Sequence, residues 1–369
     1  MKVNVDKTVL EDAIGAVIRA VPGKSTIPAL EGVLMDARGD ALTVTAYDTS
    51  IGIRTRCGAE IEREGRAVIN AKLFSEIVHK LPEDTVTLDC GDGLTADIKC
   101  GDSRFSVSTL SPDEYPELPQ VEGTEGFEIG ADTLGSMLKG TTFAVSANET
   151  RPVFTGALFD ISDGKLNVVA TDGYRLAIRT EDAGGKMEFI VPGRTLNEVE
   201  RICGRGNGDV KVRLGARHIL FLAGDTEIVS RMIDGEFLDW RNVLPKNSGV
   251  KVKVDAKSMM RSIDRVSVVV NEKMKSPIRC VFSDSEIVVS TETATGKAKD
   301  ICDADGDGKG LEIGFNGRYL SDAFRYAQEP EVCMSLNSSV DPAVITGVSG
   351  DGRSTLMVLP VRLRGQGQG

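Results

Sequence analysis

Two short segments of the chain have spacings close to those of ligand-binding loops. Pro22–Thr26 contains the Gly-Lys-Ser end of a phosphate-binding loop, but the first glycine of such a loop would fall on Ile18, and the segment follows a predicted helix instead of a strand. Asp303–Gly308 has the first half of a calcium-binding EF-hand loop, yet Gly314 stands where the bidentate glutamate is required. We therefore expect a plain loop at the first segment and a solvated hairpin tip at the second, with weak calcium binding there left open.

Side chains suited to covalent or metal chemistry are sparse. The seven cysteines are scattered without Cys-x-x-Cys spacing, and the chain has only two histidines. His79 falls in a predicted helix and His218 in a predicted strand, each without an identifiable partner, so structural roles are expected for both. We predict no catalytic residue, no metal site and no cofactor, and reduced thiols in a cytoplasmic protein.

The composition is that of a folded soluble protein. Of 369 residues, 41% are hydrophobic and 27% are charged, and this length suggests two or three domains. Lys and Arg number 44 against 55 Asp and Glu, which gives a net charge of −11. This balance argues against a protein that coats nucleic acid with its whole surface, but it permits a local basic patch. The apolar runs are too short to span a bilayer, so no membrane association is predicted.

The chain repeats itself in tandem. A shift of 124 residues brings many positions into register, and a third copy follows, in which Val254 and Met259 lie 125 residues after Ile129 and Leu134. The recurring aspartates are expected to form turns, because an acid beside a turn is more often a turn former than a general acid. The pairs related by the first shift include Val5/Ile129, Leu10/Leu134, Pro28/Pro152, Gly32/Gly156, Leu34/Leu158, Asp36/Asp160, Asp48/Asp172 and Val86/Val210.

Each copy has the same predicted order of elements. A short alternating strand precedes a one-sided helix, for which Asp6 and Asp255 are plausible N-caps in the first and third copies. Alternating strands, a second helix and further strands follow. The second helices are predicted to begin near Ala71, Arg194 and Arg318 and to stop at Pro82, Gly204 and Pro330, and the copies to close with strands ending in Leu118-Pro119, Leu244-Pro245 and Leu359-Pro360. The sequence thus predicts three α+β domains at residues 1–124, 125–248 and 249–364, with a disordered tail at 365–369.

A basic residue recurs at one place in each predicted second helix. Lys72, Arg194 and Arg318 each stand two positions before an aligned apolar residue. They could form a track that faces phosphates. They could equally be the polar face that any amphipathic helix carries, and the pattern leaves both interpretations open.

Several segments, in this order, make the chain resemble the bacterial DNA polymerase III β subunit family, the sliding clamps. The resemblance covers residues 1–364 and is specific as a set, although each segment alone would be weak. The segments are Arg151–Gly156, Ala170–Leu176, Val191-Pro192, Asp234–Phe237, Val243–Pro245, Asn271–Lys273, Gly314–Asn316 and Leu359–Leu363.

The resemblance implies a fold and a function. Two protomers would join head to tail in a six-domain ring, with two helices of each domain inside and antiparallel sheets outside. The ring would encircle duplex DNA without reading its sequence and would tether a polymerase, with no chemistry of its own. Its partners would be the replicative polymerase, the clamp loader and repair proteins, each bound through a short peptide with hydrophobic anchors. A net charge of −11 is compatible with this role, because a topological link needs no tight grip on phosphates.

The resemblance also implies site residues in this chain. The family's peptide pocket lies between the second and third domains, and the chain departs from it at Phe154, where Leu is usual, and at Leu238, where Pro is common. The matching pocket positions are Phe154, Thr171, Gly173, Tyr174, Arg175, Leu176, Leu238, Val243, Asn316, Tyr319, Val340, Val358, Leu359, Pro360, Val361 and Arg362. The DNA-binding positions would be Lys24, Lys72, Asn148, Arg151 and Arg194, with Arg318 added by repeat symmetry, and the protomer interface would pair Phe105 and Val107 with Val268 and Val269.

Two other functions compete with a clamp. The first is a monomeric binding scaffold that uses the same repeats without closing a ring. The second is an enzyme working in a cleft between domains, for which the acidic loop Asp303–Asp307 is the best support.

Overall fold

The computed structural model describes residues 1–91, 93–123, 125–205, 208–270, 276–350 and 352–363. The predicted tail at 365–369, the last residue of the predicted third domain and the segment Asn271–Lys273 lie outside these residues. None of the helices among the described residues is long and apolar enough to cross a membrane.

The three predicted repeats are present as three successions of the same elements. The first repeat has helices α1 (Lys7–Val17) and α2 (Ala71–Lys80) and strands β1 (Lys2–Asp6), β2 (Gly32–Arg38), β3 (Ala41–Tyr47), β4 (Ile51–Gly58), β5 (Glu60–Arg63), β6 (Gly65–Asn70), β7 (Thr85–Cys90), β8 (Thr95–Cys100) and β9 (Ser103–Leu110).

The second repeat has one strand fewer. Its strands are β10 (Gly126–Gly130), β11 (Gly156–Ser162), β12 (Lys165–Thr171), β13 (Arg175–Asp182), β14 (Met187–Pro192), β15 (Asp209–Leu214), β16 (His218–Ala223) and β17 (Thr226–Arg231). Its helices are α3 (Ala131–Lys139) and α4 (Gly193–Cys203), and a single turn, α5 (Trp240–Val243), precedes the next repeat.

The third repeat follows the same plan. Its strands are β18 (Val250–Asp255), β19 (Ile278–Phe282), β20 (Glu286–Thr293), β21 (Gly296–Gly306), β22 (Leu311–Phe315), β23 (Glu331–Leu336), β24 (Ala343–Gly347) and β25 (Ser354–Val358), and its helices are α6 (Ala256–Ser267) and α7 (Gly317–Arg325). The α+β class and the tandem arrangement predicted from the sequence are confirmed.

Local chemistry explains where the first helices begin. Asp6 Oδ1 accepts hydrogen bonds from the Thr8 and Val9 amides at 2.9 and 3.2 Å, and Asp255 Oδ1 accepts one from the Ser258 amide at 2.7 Å. These carboxylates satisfy amides that have no partner inside the helix, as predicted.

The ends of several elements differ from the prediction. α7 stops at Arg325 and not at Pro330, because the chain turns through Gln328, whose φ of 60° is left-handed. The first two copies do not close with strands ending at Leu118 and Leu244, since β9 and β17 end at Leu110 and Arg231. In the first copy prolines after Leu110 remove the amides that a strand would need.

The acidic segment is not a hairpin tip. β21 runs through Asp303 and Asp305 to Gly306, with Asp303 opposite Glu286 and Gly306 opposite Val252. The chain reverses only after Gly306. The predicted tip is wrong because pairing with two neighbouring strands holds the acids extended, and no group of three His, Cys, Asp or Glu among the described residues could hold a metal ion.

The chain divides into two compact units, and the division passes through the middle repeat. Unit 1 comprises Met1–Gly135 and Arg194–Met232, and unit 2 comprises Ser136–Gly193 and Ile233–Gly369. Unit 1 contains a 13-stranded antiparallel sheet in the order β10-β15-β16-β17-β4-β3-β2-β6-β9-β8-β7-β1-β5, and unit 2 a 12-stranded one in the order β14-β11-β12-β13-β25-β24-β23-β18-β21-β20-β19-β22.

Strand pairing between successive repeats explains this division. β4 of the first repeat pairs with β17 of the second, from Ile51 opposite Ser230 to Thr55 opposite Thr226. β13 of the second repeat pairs in the same way with β25 of the third. Each sheet is therefore continuous across a repeat boundary.

Candidate functional site

Several of the predicted pocket residues surround one apolar cluster in unit 2. Leu176 is a buried member of this cluster, and the half-buried Phe154, Leu238 and Leu359 pack against it. The ring of Phe154 contacts Phe237 edge-on, with centroids 5.5 Å apart. The buried members are Leu158, Val169, Leu176, Ile178, Ile190, Phe237 and Met357.

The end of the described chain is fixed beside this cluster by backbone hydrogen bonds. Val358 is buried and lies opposite Arg175 in the sheet. The amide of Leu359 then donates to the Tyr174 carbonyl at 2.9 Å, and the amide of Val361 donates to the Gly314 carbonyl at 2.7 Å. Pro360, which has no amide, forms the bridge with Phe315 between them.

A tight turn presents Tyr174 to solvent. Asp172 Oδ1 accepts hydrogen bonds from the Tyr174 and Arg175 amides at 2.9 and 3.1 Å, and the Thr171 hydroxyl accepts one from Gly173 at 3.0 Å. Gly173 has a φ of 87°, which favours glycine. The turn leaves 61% of Tyr174 exposed. Asp172 is thus a turn former, as expected.

Arg175 holds this turn in place from below. Its Nε donates to Asp172 Oδ2 at 3.1 Å, one terminal nitrogen to Asp322 Oδ2 at 2.6 Å and the other to the Phe143 carbonyl at 2.7 Å. The guanidinium carbon lies 5.2 Å from the ring centre of Phe143 and 4.6 Å from that of Tyr319. Arg175 is buried. A buried cation needs an opposite charge and an acceptor for each of its N–H donors, and these contacts supply both.

The same interactions orient a pair of tyrosines. Tyr319 stacks on Tyr174 with ring centres 6.1 Å apart and an angle of 22°, and burial raises the pKa of Tyr319. Asn316 fixes the start of α7, since its Oδ1 accepts from the Arg318 and Tyr319 amides at 3.0 and 3.3 Å. Asn316 is therefore a helix cap, which positions Tyr319.

The remaining predicted pocket residues are exposed. Val243 lies on α5 and Val340 in the β23–β24 connection, and 42% and 71% of these side chains are exposed. Val361 is 38% exposed and Arg362 is also exposed. Val243, Val340 and Val361 lie outside the apolar cluster.

The predicted DNA-binding residues are exposed in both units. Lys24, Lys72 and Arg194 belong to unit 1, and Asn148, Arg151 and Arg318 belong to unit 2. Lys72, Arg194 and Arg318 each stand at the second residue of α2, α4 and α7. A cation is unfavourable at that position, because the N-terminus of a helix carries partial positive charge. Helix stability alone therefore does not explain why the base recurs.

Arg194 has a second role in unit 1. It forms an ion pair with Asp48 and donates a hydrogen bond to the Arg19 carbonyl at 2.9 Å. Asp48 Oδ1 also accepts the Ser50 and Ile51 amides at 2.9 and 2.8 Å, so it is the turn former that was expected.

The predicted interface residues also leave apolar surface exposed. Phe105 and Val107 lie on β9, where 39% of Phe105 is exposed, and Val268 and Val269 follow α6, where 83% of Val268 is exposed.

The expectation for one pair of aspartates was wrong. Asp36 and Asp160 lie inside β2 and β11, not beside turns. His79 has a partner that the sequence did not reveal, Glu11, whose Oε1 lies 2.7 Å from His79 Nδ1.

Burial shifts the pKa values of several described thiols and of one histidine. Burial raises the pKa of Cys57 to about 11 and that of Cys280 to about 12, so both thiols are protonated at neutral pH. Burial and two neighbouring arginines lower the pKa of His218, which keeps it neutral. What this surface offers is recognition: the exposed Tyr174, the half-buried Tyr319 and aliphatic side chains lie beside an apolar cluster.

Three tandem α+β repeats with such a surface define a binding protein of the sliding-clamp class. The comparisons with known proteins agree. The chain matches the DNA polymerase III beta subunit N-terminal domain at residues 1–119, the central domain at 128–239 and the C-terminal domain at 241–362. The chain belongs to the family of DNA polymerase III β subunits, and it is a DNA polymerase processivity factor without catalytic activity.

Individual relatives cover nearly the whole chain. The beta sliding clamp of Synechococcus elongatus is 31% identical over 99% of this chain and 100% of its own, and that of Staphylococcus aureus is 30% identical over 94% and 95%. Among solved structures, the sliding clamp of Bacillus subtilis is 29% identical with a TM-score of 0.93, covering 98% of this chain and 99% of that one. The Pseudomonas aeruginosa β subunit is 27% identical with a TM-score of 0.92, covering 98% and 100%.

Replacing Arg175 tests how the tyrosine pair is supported. Arg175→Ala removes a buried cation and leaves the partly buried carboxylates of Asp172 and Asp322 without their nearest countercharge, so the free energy of unfolding should fall by about 3 kcal/mol. Arg279→Ala, which removes an exposed ion pair with Glu312, should cost less than about 1 kcal/mol. Urea denaturation followed by circular dichroism measures both, and equal losses would show that the buried network carries no special weight.

Proposed function

We propose that two copies of this chain close head to tail into a six-domain ring. The observation that supports it is the strand pairing between repeats. β4, β13 and β21 are equivalent strands of the three repeats, and so are β9, β17 and β25. β4 pairs with β17 and β13 with β25, so β21 and β9 are the two strands that remain. Within the described residues, β21 along Gly296–Asp303 pairs only with β20, and β9 along Ser103–Ser108 only with β8. Two chains would satisfy both free edges by joining β21 of each to β9 of the other.

The repeats also give the register of this joint. Lys253 is equivalent to Asn4, and it lies opposite Asp305 as Asn4 lies opposite Glu60, so Asp305 is equivalent to Glu60. Counting back equally far from both, Gly296 is equivalent to Ile51. The hairpins that precede β9 and β17 put Val107 in the place of Ser230. Because Ile51 pairs with Ser230, Gly296 would pair with Val107, Ala298 with Phe105 and Asp300 with Ser103.

This register brings the predicted interface residues together. A Cβ on Gly296 would lie 3.8 Å from Val269, and the hydroxyl of Thr293 donates to the Val269 carbonyl at 2.9 Å. Val107 opposite Gly296 would therefore contact Val269, and the exposed Val268 lies next to it in the chain. This geometry supports the expected contact of Val107 with Val269, while Phe105 would lie opposite Ala298.

The ring would encircle duplex DNA independently of sequence. We assign Lys24, Lys72, Asn148, Arg151, Arg194 and Arg318 to the surface that faces the DNA, because all are exposed and three occupy the same helix position. Few basic residues suffice, because a closed ring is held by topology and a strong phosphate grip would slow sliding. This role, and free cysteines that suit a reducing compartment, support a cytoplasmic location.

The surface around Tyr174, Tyr319 and Leu359 would bind short peptides of the replicative polymerase, the clamp loader and repair proteins. The remaining pocket positions named from the sequence complete it. Phe154 fills the cluster by its contact with Phe237, and Leu238 packs against the same cluster. These two residues would make the pocket shallower than one with Leu and Pro there, so smaller anchors should fit best.

Retention on DNA tests encirclement. After loading by a clamp loader with ATP, the protein should stay on circular plasmid through a high-salt wash and leave the same plasmid once it is linearised. A ring escapes only over free ends, whereas a protein held by phosphate contacts would leave both forms alike. Equal loss from both would contradict the ring.

A charge at the free edge of β9 tests the joint. Phe105→Arg places a cation at the position proposed to oppose Ala298, so the mass in light scattering at micromolar concentration should fall from about 79 kDa, two chains of 39.5 kDa, to that of one chain. Ile27→Arg changes another exposed apolar residue of unit 1 and should leave the dimer intact. A wild-type mass of one chain would favour the monomeric scaffold instead.

Truncation tests the peptide surface. A chain that ends at Val358 lacks Leu359–Leu363 and should lose binding of a labelled polymerase peptide in fluorescence anisotropy, because Leu359 packs on the cluster and Val361 is exposed beside it. A chain that ends at Leu363 is the matched control and should bind like the full chain. Both truncations should remain dimers, and loss of the dimer in the shorter one would show that these residues are structural only.

A further inference from the structure

Unit 1 contains a cleft of about 540 Å³ that neither the proposed ring nor the proposed peptide surface uses. Six neighbouring strands of one sheet, β16, β17, β4, β3, β2 and β6, line it together with the segment 115–121. Aliphatic side chains of Leu34, Leu220 and Val229 lie beside arginines and acids in the lining. This volume falls in the range of small-ligand and peptide sites.

The cleft stands where the second repeat has its apolar cluster. Leu34 is equivalent to Leu158 of that cluster under the shift of 124 residues. At three further positions an apolar residue of the cluster is replaced by a polar or charged one, which cannot close the space by packing. These pairs are Val169/Thr45, Ile178/Arg54 and Ile190/Arg66.

Asp36 and Asp160 are equivalent in the first two repeats, but among the described residues only Asp160 receives hydrogen bonds from the segment that covers it. Asp160 Oδ2 accepts hydrogen bonds from Arg241 at 2.6 Å and from the Trp240 indole at 3.3 Å, both on α5. The segment that covers the equivalent Asp36 reads Pro-Glu-Leu-Pro-Gln-Val and supplies neither an arginine nor a tryptophan. In the second repeat the covering segment therefore supplies donors to the aspartate, whereas the ion-pair partners of Asp36 within the described part of the chain are arginines of its own sheet, Arg38 and Arg66.

Two buried polar atoms of residues that line the cleft have no hydrogen-bond partner among the residues that the structure describes. They are Asp36 Oδ1, an acceptor, and Arg66 Nε, a donor. Arg66 Nε lies 4.0 Å from Asp36 Oδ2, and Arg38 Nε lies 3.0 Å from Asp36 Oδ1 as an ion pair without hydrogen-bonding geometry. Buried polar atoms in native proteins are nearly always hydrogen-bonded, so a donor and an acceptor left side by side indicate a missing partner.

We propose that this cleft binds a short extended peptide of a protein partner through the N–H and C=O of one of its residues. In an extended peptide the N–H and the C=O of one residue point to the same side, which matches an acceptor and a donor that lie close together without hydrogen bonds. Its aliphatic side chain would contact Leu34, Leu220 and Val229. The lining contains three arginines and three acids, so its formal charges cancel. We therefore expect the bound part of the peptide to carry no charged side chain. The site goes beyond the peptide surface at Leu359, since it stands on unit 1 alone.

Methyl NMR on the full chain tests this site. The probe is the blocked tripeptide acetyl-Leu-Gln-Leu-N-methylamide, titrated to millimolar concentration into protein with labelled Leu and Val methyl groups. The methyls of Leu34, Leu220 and Val229 should shift and saturate. Asp36→Ala and Arg66→Ala should each weaken this binding at least about tenfold, because each removes a hydrogen bond to a charged group.

Matched variants and a second set of methyls keep the test decisive. Asp40→Ala and Arg63→Ala remove exposed charges outside the cleft and should leave the affinity unchanged. Shifts of Leu176, Val358 and Leu359 report the other peptide surface, so its failure and the failure of this site are separable. The proposal would be overturned if only those methyls shifted, or if no methyl shifted. It would also be overturned if the Asp36 and Asp40 variants, both with unchanged melting temperature, bound the peptide equally well.

Discussion

Pairing between a strand of one repeat and a strand of the next is the constraint on which the rest of the structure depends. Each repeat alone would expose unpaired amides and carbonyls along one edge, and the β4–β17 and β13–β25 pairs cover those edges within the chain. The same rule leaves β21 and β9 uncovered. The proposed assembly would therefore serve the hydrogen-bonding needs of an incomplete sheet.

The sequence carried the parts of the fold that repeat. Matching positions 124 and 125 residues apart, the apolar stripe of α1 and the caps Asp6 and Asp255 all depend on local spacing, which the chain shows directly. Element ends were less predictable, because they depend on neighbours elsewhere in the chain. Asp303 looked like a turn residue in its own segment, yet pairing with β20 and β18 holds β21 extended beyond it.

The candidate site shows the same limit. Family segments indicated Tyr174, Arg175 and Tyr319, but no spacing pointed to Asp322, which lies 147 residues from the Arg175 it neutralises. Nor did the sequence distinguish Asp36 from Asp160, which occupy the same place in two repeats. What separates them is the covering segment, and only the structure shows that Trp240 and Arg241 reach one aspartate and have no counterpart over the other.

The proposed joint between chains would be softer than the joints within a chain. Inside unit 1, Thr55 and Thr226 share a hydrogen bond of 2.9 Å and Arg54 lies opposite Glu227. In the proposed register Arg104 would oppose Lys299, and like charges directly across a strand pair repel. In the proposed ring the two joints between chains would therefore be weaker than the joints within each chain. Under mechanical force the ring would open at a subunit interface before the sheets inside either subunit separate.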